Sequence, residues 1–217
     1  MKGIVLEPMI ADENVVIQFT DVIVTDKNTT VKVPNGFIAV VFIDERVAFK
    51  LDVSVGKKLA DYGKEYIGKQ CKVAFVRTKP LPQMMWGFGN IQVNNSRLKE
   101  AYRVGANGKY GIEISEMAKL IHGFYTESNI TIDTLREKTI SIIKTVGVSI
   151  LGSYFADTDI SVFEISAHTN ELRNTMLNAL SQERAFAEIG IRLKDLTVDG
   201  IHVNEEDLQL IRNRING

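Results

Sequence analysis

The spacing of hydrophobic positions divides the chain into a β-rich first half and a helical second half. Up to about residue 114, apolar and β-branched residues come in short runs separated by Pro, Gly, Asn and Asp, which is typical of strands joined by turns. The connections 56–70 and 81–89 are predicted to be irregular, and 105–108 to be a turn. The predicted strands cover residues 15–25, 31–33, 37–43, 47–53, 72–77, 96–104 and 109–114.

From residue 115 the apolar spacing becomes helical. The pattern predicts a short helix at 115–123 and longer helices at 131–156 and 169–189, with apolar residues three, four and seven positions apart. Gly190 is predicted to end the last of them. Residues 191–203 then alternate with period two and change phase near Asp195 and Gly200, which predicts a strand with two bulges.

These elements predict an α+β fold with a bent, mainly antiparallel sheet and several helices packed on one side of it. The run 37–43 is apolar throughout, so both of its faces are expected to be covered. We expect the C-terminal strand to return to the early sheet and to complete a single domain over residues 1–203. This domain would consist of a β-rich part, 1–114, a helical part, 115–189, and the strand 190–203, with 204–217 as the start of a C-terminal helix.

Composition excludes several classes of protein. The chain has 217 residues and a formal net charge of -1, so no basic field would recruit nucleic acid. The one cysteine, Cys71, cannot form an intramolecular disulfide and is expected to be a packed core residue in a reducing compartment. No apolar run is expected to reach the ~20 residues that cross a bilayer, and a cytoplasmic location is predicted.

The residues that could carry chemistry do not form a catalytic constellation. His122, His168 and His202 lack the spacing of a metal site, so neither a metal nor a cofactor is expected. Asp157 and Asp159 are close enough to bind a cation or to act in acid–base chemistry. A polar loop at a helix exit is the more common role for such a pair.

Two apolar segments are candidates for contact with other molecules. Met84, Met85, Trp86 and Phe88 lie in a stretch flanked by Gly and Pro. If exposed, they would form a membrane or partner interface. If the stretch folds over the sheet, Trp86 fills the core instead. The second candidate is an assembly helix with a packing seam at spacings of three and four residues, formed by Leu208, Ile211 and Ile215.

Four strings, in order, resemble the SPFH domain, also called the band 7 or prohibitin-homology domain, of stomatins, prohibitins and flotillins. They are VPNGFIAVVFIDE from Val33, AFVRTK from Ala74 with Trp86-Gly87 after it, AYRVG from Ala101, and EIGIRLKDLTVDGIHVNEED from Glu188. The similarity runs from about residue 15 and is greatest to a soluble bacterial branch sometimes labelled virion core protein-like. The chain departs from the family in lacking an N-terminal membrane segment and in carrying Asn204 where Pro is frequent. The family's long coiled coil would begin near Leu208.

The resemblance implies a non-enzymatic scaffold that organises a membrane-associated complex through a partner. It implies membrane-associated protein partners, self-association in a longer chain, peripheral lipid contact and a location at the inner face of the membrane. The alternative is a small-ligand or lipid-binding regulatory domain, with a cleft between sheet and helices near Trp86. Catalysis is the third and least favoured expectation.

Overall fold

The computed structural model describes residues 3–9, 13–125 and 127–216 and confirms the α+β class. The helices are α1 (Met117–Gly123), α2 (Ile132–Ala156), α3 (Thr169–Ser181), α4 (Arg184–Glu188) and α5 (Glu205–Asn216). The strands are β1 (Val5–Leu6), β2 (Val15–Phe19), β3 (Ile23–Val24), β4 (Thr30–Val33), β5 (Phe37–Ile43), β6 (Arg46–Leu51), β7 (Ser54–Lys58), β8 (Gln70–Arg77), β9 (Met84–Asn95), β10 (Glu100–Ile114), β11 (Asn129–Thr131), β12 (Ile191–Leu196) and β13 (Gly200–Val203).

The chain divides into two compact units. Unit 1 comprises Met1–Pro80 and Ala118–Leu135, and unit 2 comprises Leu81–Met117 and Arg136–Gly217. The division falls inside α1 and inside α2. The single domain over 1–203 therefore stays a prediction, and the two units are described one at a time.

Unit 1 contains two sheets. A six-stranded sheet has the order β11-β2-β8-β5-β6, with β3 also paired to β8, and a three-stranded sheet has the order β1-β4-β7. Apolar residues of the two sheets pack into one core, among them Val31 and Val33 of β4 and Phe75 of β8. All but one of the residues of β5 are buried, so the prediction that both of its faces are covered is confirmed.

Unit 2 is built around β10, the longest strand. It pairs with β9 on one side and with β12 and β13 on the other, all antiparallel. The expected single bent sheet is thus wrong: three sheets form, and the C-terminal strands return to β10 rather than to the sheet of the first 80 residues. The bulge predicted near Asp195 is confirmed, because Asp195 pairs with Gly111 while Leu193 pairs with Ile112, which leaves Lys194 as the extra residue.

The predicted turn at 105–108 is wrong, since β10 runs through it without interruption. The two glycines serve close approach. A Cβ on Gly105 would lie 2.9 Å from the Cα of Gly89 on the neighbouring strand, and a Cβ on Gly108 would overlap the carbonyl oxygen of Thr197. Glycine in a strand often marks such a close backbone approach. The turn lies earlier, at residues 96–99, where Lys99 has a positive φ of 54°.

The segment 81–89, predicted to be irregular, supplies most of the first half of β9. Its buried residues are Met84 and Trp86 before Asn90 and Val93 and Asn95 after it, so the inward-facing positions change from even to odd. A bulge causes the change: Val104 pairs with Ile91 and Ala106 with Phe88, and Asn90 has a positive φ of 59°. An extra residue shifts every following side chain to the opposite face.

Helix α2 carries a narrow buried stripe at every fourth residue. Its members are Leu135, Thr139, Ile143, Gly147, Leu151 and Phe155. Length and composition alone would allow α2 to cross a membrane, contrary to the sequence expectation. Such evidence is weak, because core helices of soluble proteins share these properties. The fully exposed side of α2 is polar, from Asp133 and Arg136 through Lys144 to Ser153.

The third predicted helix, 169–189, is broken in two. Helix α3 ends at Ser181, and the Glu183 side chain then accepts a hydrogen bond from the Ala185 N–H at 3.3 Å to begin α4. A side-chain acceptor at this position satisfies one of the unpaired N–H groups of the new helix. Gly190, with a φ of 76°, follows the helix as predicted.

Candidate assembly site at the C-terminal helix

Asn204 begins the candidate assembly helix α5 and connects it to β10. Its side-chain Oδ1 accepts hydrogen bonds from the backbone N–H groups of Glu206 at 3.1 Å and Asp207 at 3.3 Å. Its own N–H donates to the carbonyl of Arg103 at 2.8 Å. Asn is among the best residues for capping a helix N-terminus. The family's frequent Pro is therefore replaced here by a residue that supplies a side-chain acceptor.

Arg103 of β10 and Asp207 of α5 form the main polar contact of the site. The Asp207 carboxylate accepts from the Arg103 backbone N–H at 2.7 Å, from Nε at 2.9 Å and from Nη2 at 2.9 Å. Nη2 also reaches Asn204 Oδ1 at 2.9 Å and Glu206 at 3.1 Å. Paired guanidinium–carboxylate bonds fix geometry as well as adding energy. They hold the first turn of α5 at one position on the strand.

Burial separates the two carboxylates that Arg103 contacts. The Asp207 side chain is 13% exposed, whereas that of Glu206 is 80% exposed, so solvent screens the second pair far more strongly. Hydrogen bonds from Arg103 lower the pKa of Asp207 below its ordinary value, and those carboxylates raise the pKa of Arg103. Both groups are therefore held in their charged forms at neutral pH.

The apolar seam of α5 is divided between the protein's own surface and solvent. Ile211 is buried, Leu208 is half-buried and Ile215 is 65% exposed. Leu210, which lies off the seam, is 63% exposed. The Arg212 guanidinium lies 5.7 Å from the Phe163 ring centroid, which adds a second contact to the same helix. The seam predicted from spacing thus docks at its start and faces solvent at its end.

The match to a known family covers nearly the whole chain. The sequence model of the SPFH domain-Band 7 family matches residues 12–216. The chain belongs to the SPFH domain-Band 7 family. Comparison with curated proteins gave no match. The narrower virion core protein-like branch stays a prediction.

The SPFH domain places the candidate interface residues largely in its own core. Met84 and Trp86 are buried, and the Trp86 indole N–H donates to the carbonyl of Thr197 at 3.0 Å. The half-buried Phe88 ring lies 5.1 Å from that of Trp86 and contacts Gly147 of α2. Met85 alone of the four is exposed, at 63%. A continuous apolar patch does not form there, and contact of Met85 with a partner stays a prediction.

The other candidate groups of the SPFH domain have structural partners. Arg97 donates to Asp157 at 3.0 Å and to Asp159 at 2.9 Å, so a cation is already supplied to this pair by the chain itself. His202 Nε2 lies 2.8 Å from Asn107 Oδ1. Across the described residues 3–9, 13–125 and 127–216, no three His, Cys, Asp or Glu side chains are grouped as metal ligands. Burial raises the pKa of Cys71 to about 11, which disfavours its thiolate.

Sequence reasoning found the seam of α5 but missed its anchor on β10. Arg103 lies in a stretch where the sequence indicated only a strand, and Asp207 was one of three acids at a helix start. Nothing in the local pattern distinguishes Asp207 from Glu205 and Glu206. Only the pairing of β10 with β13, where Val104 faces Val203, brings Arg103 next to the helix that follows.

Proposed function

We propose that this SPFH domain is a non-enzymatic assembly module that organises a membrane-associated complex through a protein partner. Family membership supports the coarser part of this proposal, since SPFH domains are consistent with scaffold roles, are generally non-enzymatic and are often associated with membranes. The partner, the self-association and the location at the inner face of the membrane belong to the proposal.

The observation that carries the proposal is the fixed attachment of α5. A helix that mediates assembly must leave its domain at a defined position if the assembled domains are to share one arrangement. Asn204, Arg103 and Asp207 define that position with hydrogen bonds of 2.7–3.3 Å. Beyond Ile211, the seam residue Ile215 is exposed and available to another helix. A seam of so few turns is weak alone, because helix nucleation is costly.

Sedimentation velocity of the 217-residue chain over a wide concentration range tests the proposal. We expect a monomer at low concentration and weak, concentration-dependent association at high concentration. Ile215→Asp should remove that association because it places a charge in the seam. Leu210→Asp is the matched control, since Leu210 is as exposed as Ile215 but lies off the seam. Equal effects of the two variants, or association that neither affects, would count against assembly through α5.

The alternative of a ligand-binding regulator was expected at a cleft near Trp86. Trp86 is buried and its indole N–H is already hydrogen-bonded, so the residue offers little to a ligand. A cavity in unit 1 offers more polar groups, and it is considered below as a separate property of the chain.

A further inference from the structure

Unit 1 contains a cavity of about 740 Å³ at the end of β2. Its lining comes from residues 5–9, 18–23 and 127–129, together with Lys72 and Phe75. The volume falls within the range of small-molecule sites, which combine apolar walls with a few polar groups. Leu6, Ile23 and Phe75 supply apolar wall, and Gln18, Asp21 and Lys72 supply polar groups.

Lys72 brings an incompletely bonded ammonium group to this cavity. Its Nζ lies 4.8 Å from the ring centroid of Phe19 and 4.5 Å from that of Tyr125, and it donates to the Tyr125 carbonyl. An ammonium group has three N–H donors, so two remain. Of the residues that the structure describes, none places a carboxylate oxygen within 4.0 Å of Nζ. Burial lowers the pKa of Lys72, and the charge of Asp21 opposes that shift.

Gln18 brings an acceptor that lacks a donor. Its Oε1 is buried and, within the described part of the chain, accepts no hydrogen bond. Its Nε2 makes a long contact of 3.5 Å to the Met9 carbonyl. A buried acceptor left without a donor costs free energy that a ligand N–H or O–H could recover.

The charges of the lining select against a simple anion. Glu7, Asp21 and Glu127 are exposed carboxylates of the lining, and Lys72 is its one cation. Lys32 pairs with Glu7 at 3.4 Å, which leaves Asp21 and Glu127 to act on a ligand. A ligand that complements this surface needs an anionic group for Lys72 and a positive group for the two carboxylates.

We propose that the cavity binds a small amphipathic zwitterion. Its anionic group accepts from Lys72, its ammonium group faces Asp21 and donates to Gln18 Oε1, and its apolar body lies against Leu6 and Ile23. Two sources share this chemistry, a short apolar peptide in solution and the headgroup of phosphatidylethanolamine. The proposal is independent of assembly through α5, so either can fail while the other holds.

Isothermal titration calorimetry with four probes tests the charge requirement. Leucyl-leucine and dihexanoylphosphatidylethanolamine carry both charges on an apolar body, whereas hexanoate and hexylamine carry one charge each. We expect at least one zwitterion to bind at least about tenfold more tightly than either singly charged probe, because a charge-assisted hydrogen bond is lost with each missing group. Hexanoate binding as tightly as both zwitterions, or no measurable heat from either zwitterion, overturns the proposal.

Variants of the lining locate the binding. Lys72→Gln and Asp21→Asn should each weaken the zwitterion about tenfold or more. Lys50→Gln is the matched control, because Lys50 is an exposed lysine on β6 at the opposite edge of the same sheet. Asp21 is exposed, so its variant keeps the test valid if Lys72→Gln does not fold. Equal binding by Asp21→Asn and the unmodified chain overturns the proposal.

Vesicles separate the two sources. Flotation with phosphatidylethanolamine vesicles that Asp21→Asn abolishes would identify the headgroup as the ligand. Binding of leucyl-leucine, without flotation on those vesicles, would identify a soluble zwitterion. Either result supports the cavity as a zwitterion site, whereas flotation that neither lining variant affects, with no calorimetric binding, overturns it.

Discussion

At the residue scale, the contact between Arg103 and Asp207 defines the candidate assembly site, and sequence could not have predicted it. The acidic start of α5 was evident, and so was Asn204 at the position where the family often has Pro. Which acid meets a basic partner depends on strand pairing between residues about a hundred positions apart. Burial then decides which contact matters, because Asp207 is largely enclosed and Glu206 is not.

Replacing Asp207 should loosen α5 in a pH-dependent way. Asp207→Asn is expected to cost about 1–2 kcal/mol of unfolding free energy at neutral pH, below the range for buried charged hydrogen bonds because Arg103 is partly exposed. The folded-state pKa of Asp207 is lowered, so its contribution is present above the unfolded value, about 3.9. That contribution is lost as the pH falls through the lower folded-state pKa.

Urea unfolding of both chains between neutral pH and acid checks this prediction. The difference between the unmodified chain and Asp207→Asn should shrink below about pH 4 and vanish at lower pH. Glu206→Gln is the control on the same arginine, and it should change stability by no more than about 0.5 kcal/mol. A cost for Glu206→Gln equal to that for Asp207→Asn would show that burial does not separate the two pairs.

At the element scale, periodicity predicted the elements whose pattern is uniform and missed those in which glycine interrupts it. The buried strand 37–43 and the helix 131–156 are close to their predicted bounds. Strand β9 was missed because Gly87, Gly89 and the bulge at Asn90 disguise its alternation. The glycines of β10 were interpreted as a turn because local sequence does not show that strands lie on both sides of them.

The two glycines inside α2 provide a matched test of helix packing. A Cβ on Gly147 would lie 2.6 Å from Phe88 Cζ, and Phe88 is held against Trp86, so its ring has little room to move. Gly147→Ala should therefore destabilise unit 2 by about 1–3 kcal/mol through overpacking. A Cβ on Gly152 would lie 3.9 Å from Ile91 Cγ2, an ordinary contact.

Gly152→Ala should accordingly be neutral or stabilise the chain by up to about 1 kcal/mol, because Ala is the better helix former. Urea midpoints and slopes of both variants, compared with the unmodified chain, make the measurement. If Gly147→Ala matched Gly152→Ala, Phe88 would have to yield easily. The close approach of α2 to β9 would then not depend on glycine.

At the scale of the whole molecule, the sequence identified the family and left its relation to a membrane undecided. Four ordered strings indicated the SPFH domain, and the family match over residues 12–216 confirms it. The apolar helix α2 meets the length and composition of a membrane span, yet it buries Ile143, Leu151 and Phe155 within the protein. Composition cannot distinguish these two uses of an apolar helix, whereas burial of a stripe at every fourth residue favours the core.

Flotation of the isolated chain distinguishes direct from partner-mediated attachment. We expect no tight binding to phosphatidylcholine vesicles, because moving α2 into lipid would give up its packing within the protein. We expect none to phosphatidylglycerol vesicles either, because a net charge of -1 provides no attraction to anionic lipid. Flotation that resists alkaline carbonate would contradict this and indicate insertion of α2. Weaker flotation that Met85→Ser abolishes would instead assign lipid contact to the exposed residue of the 84–88 segment.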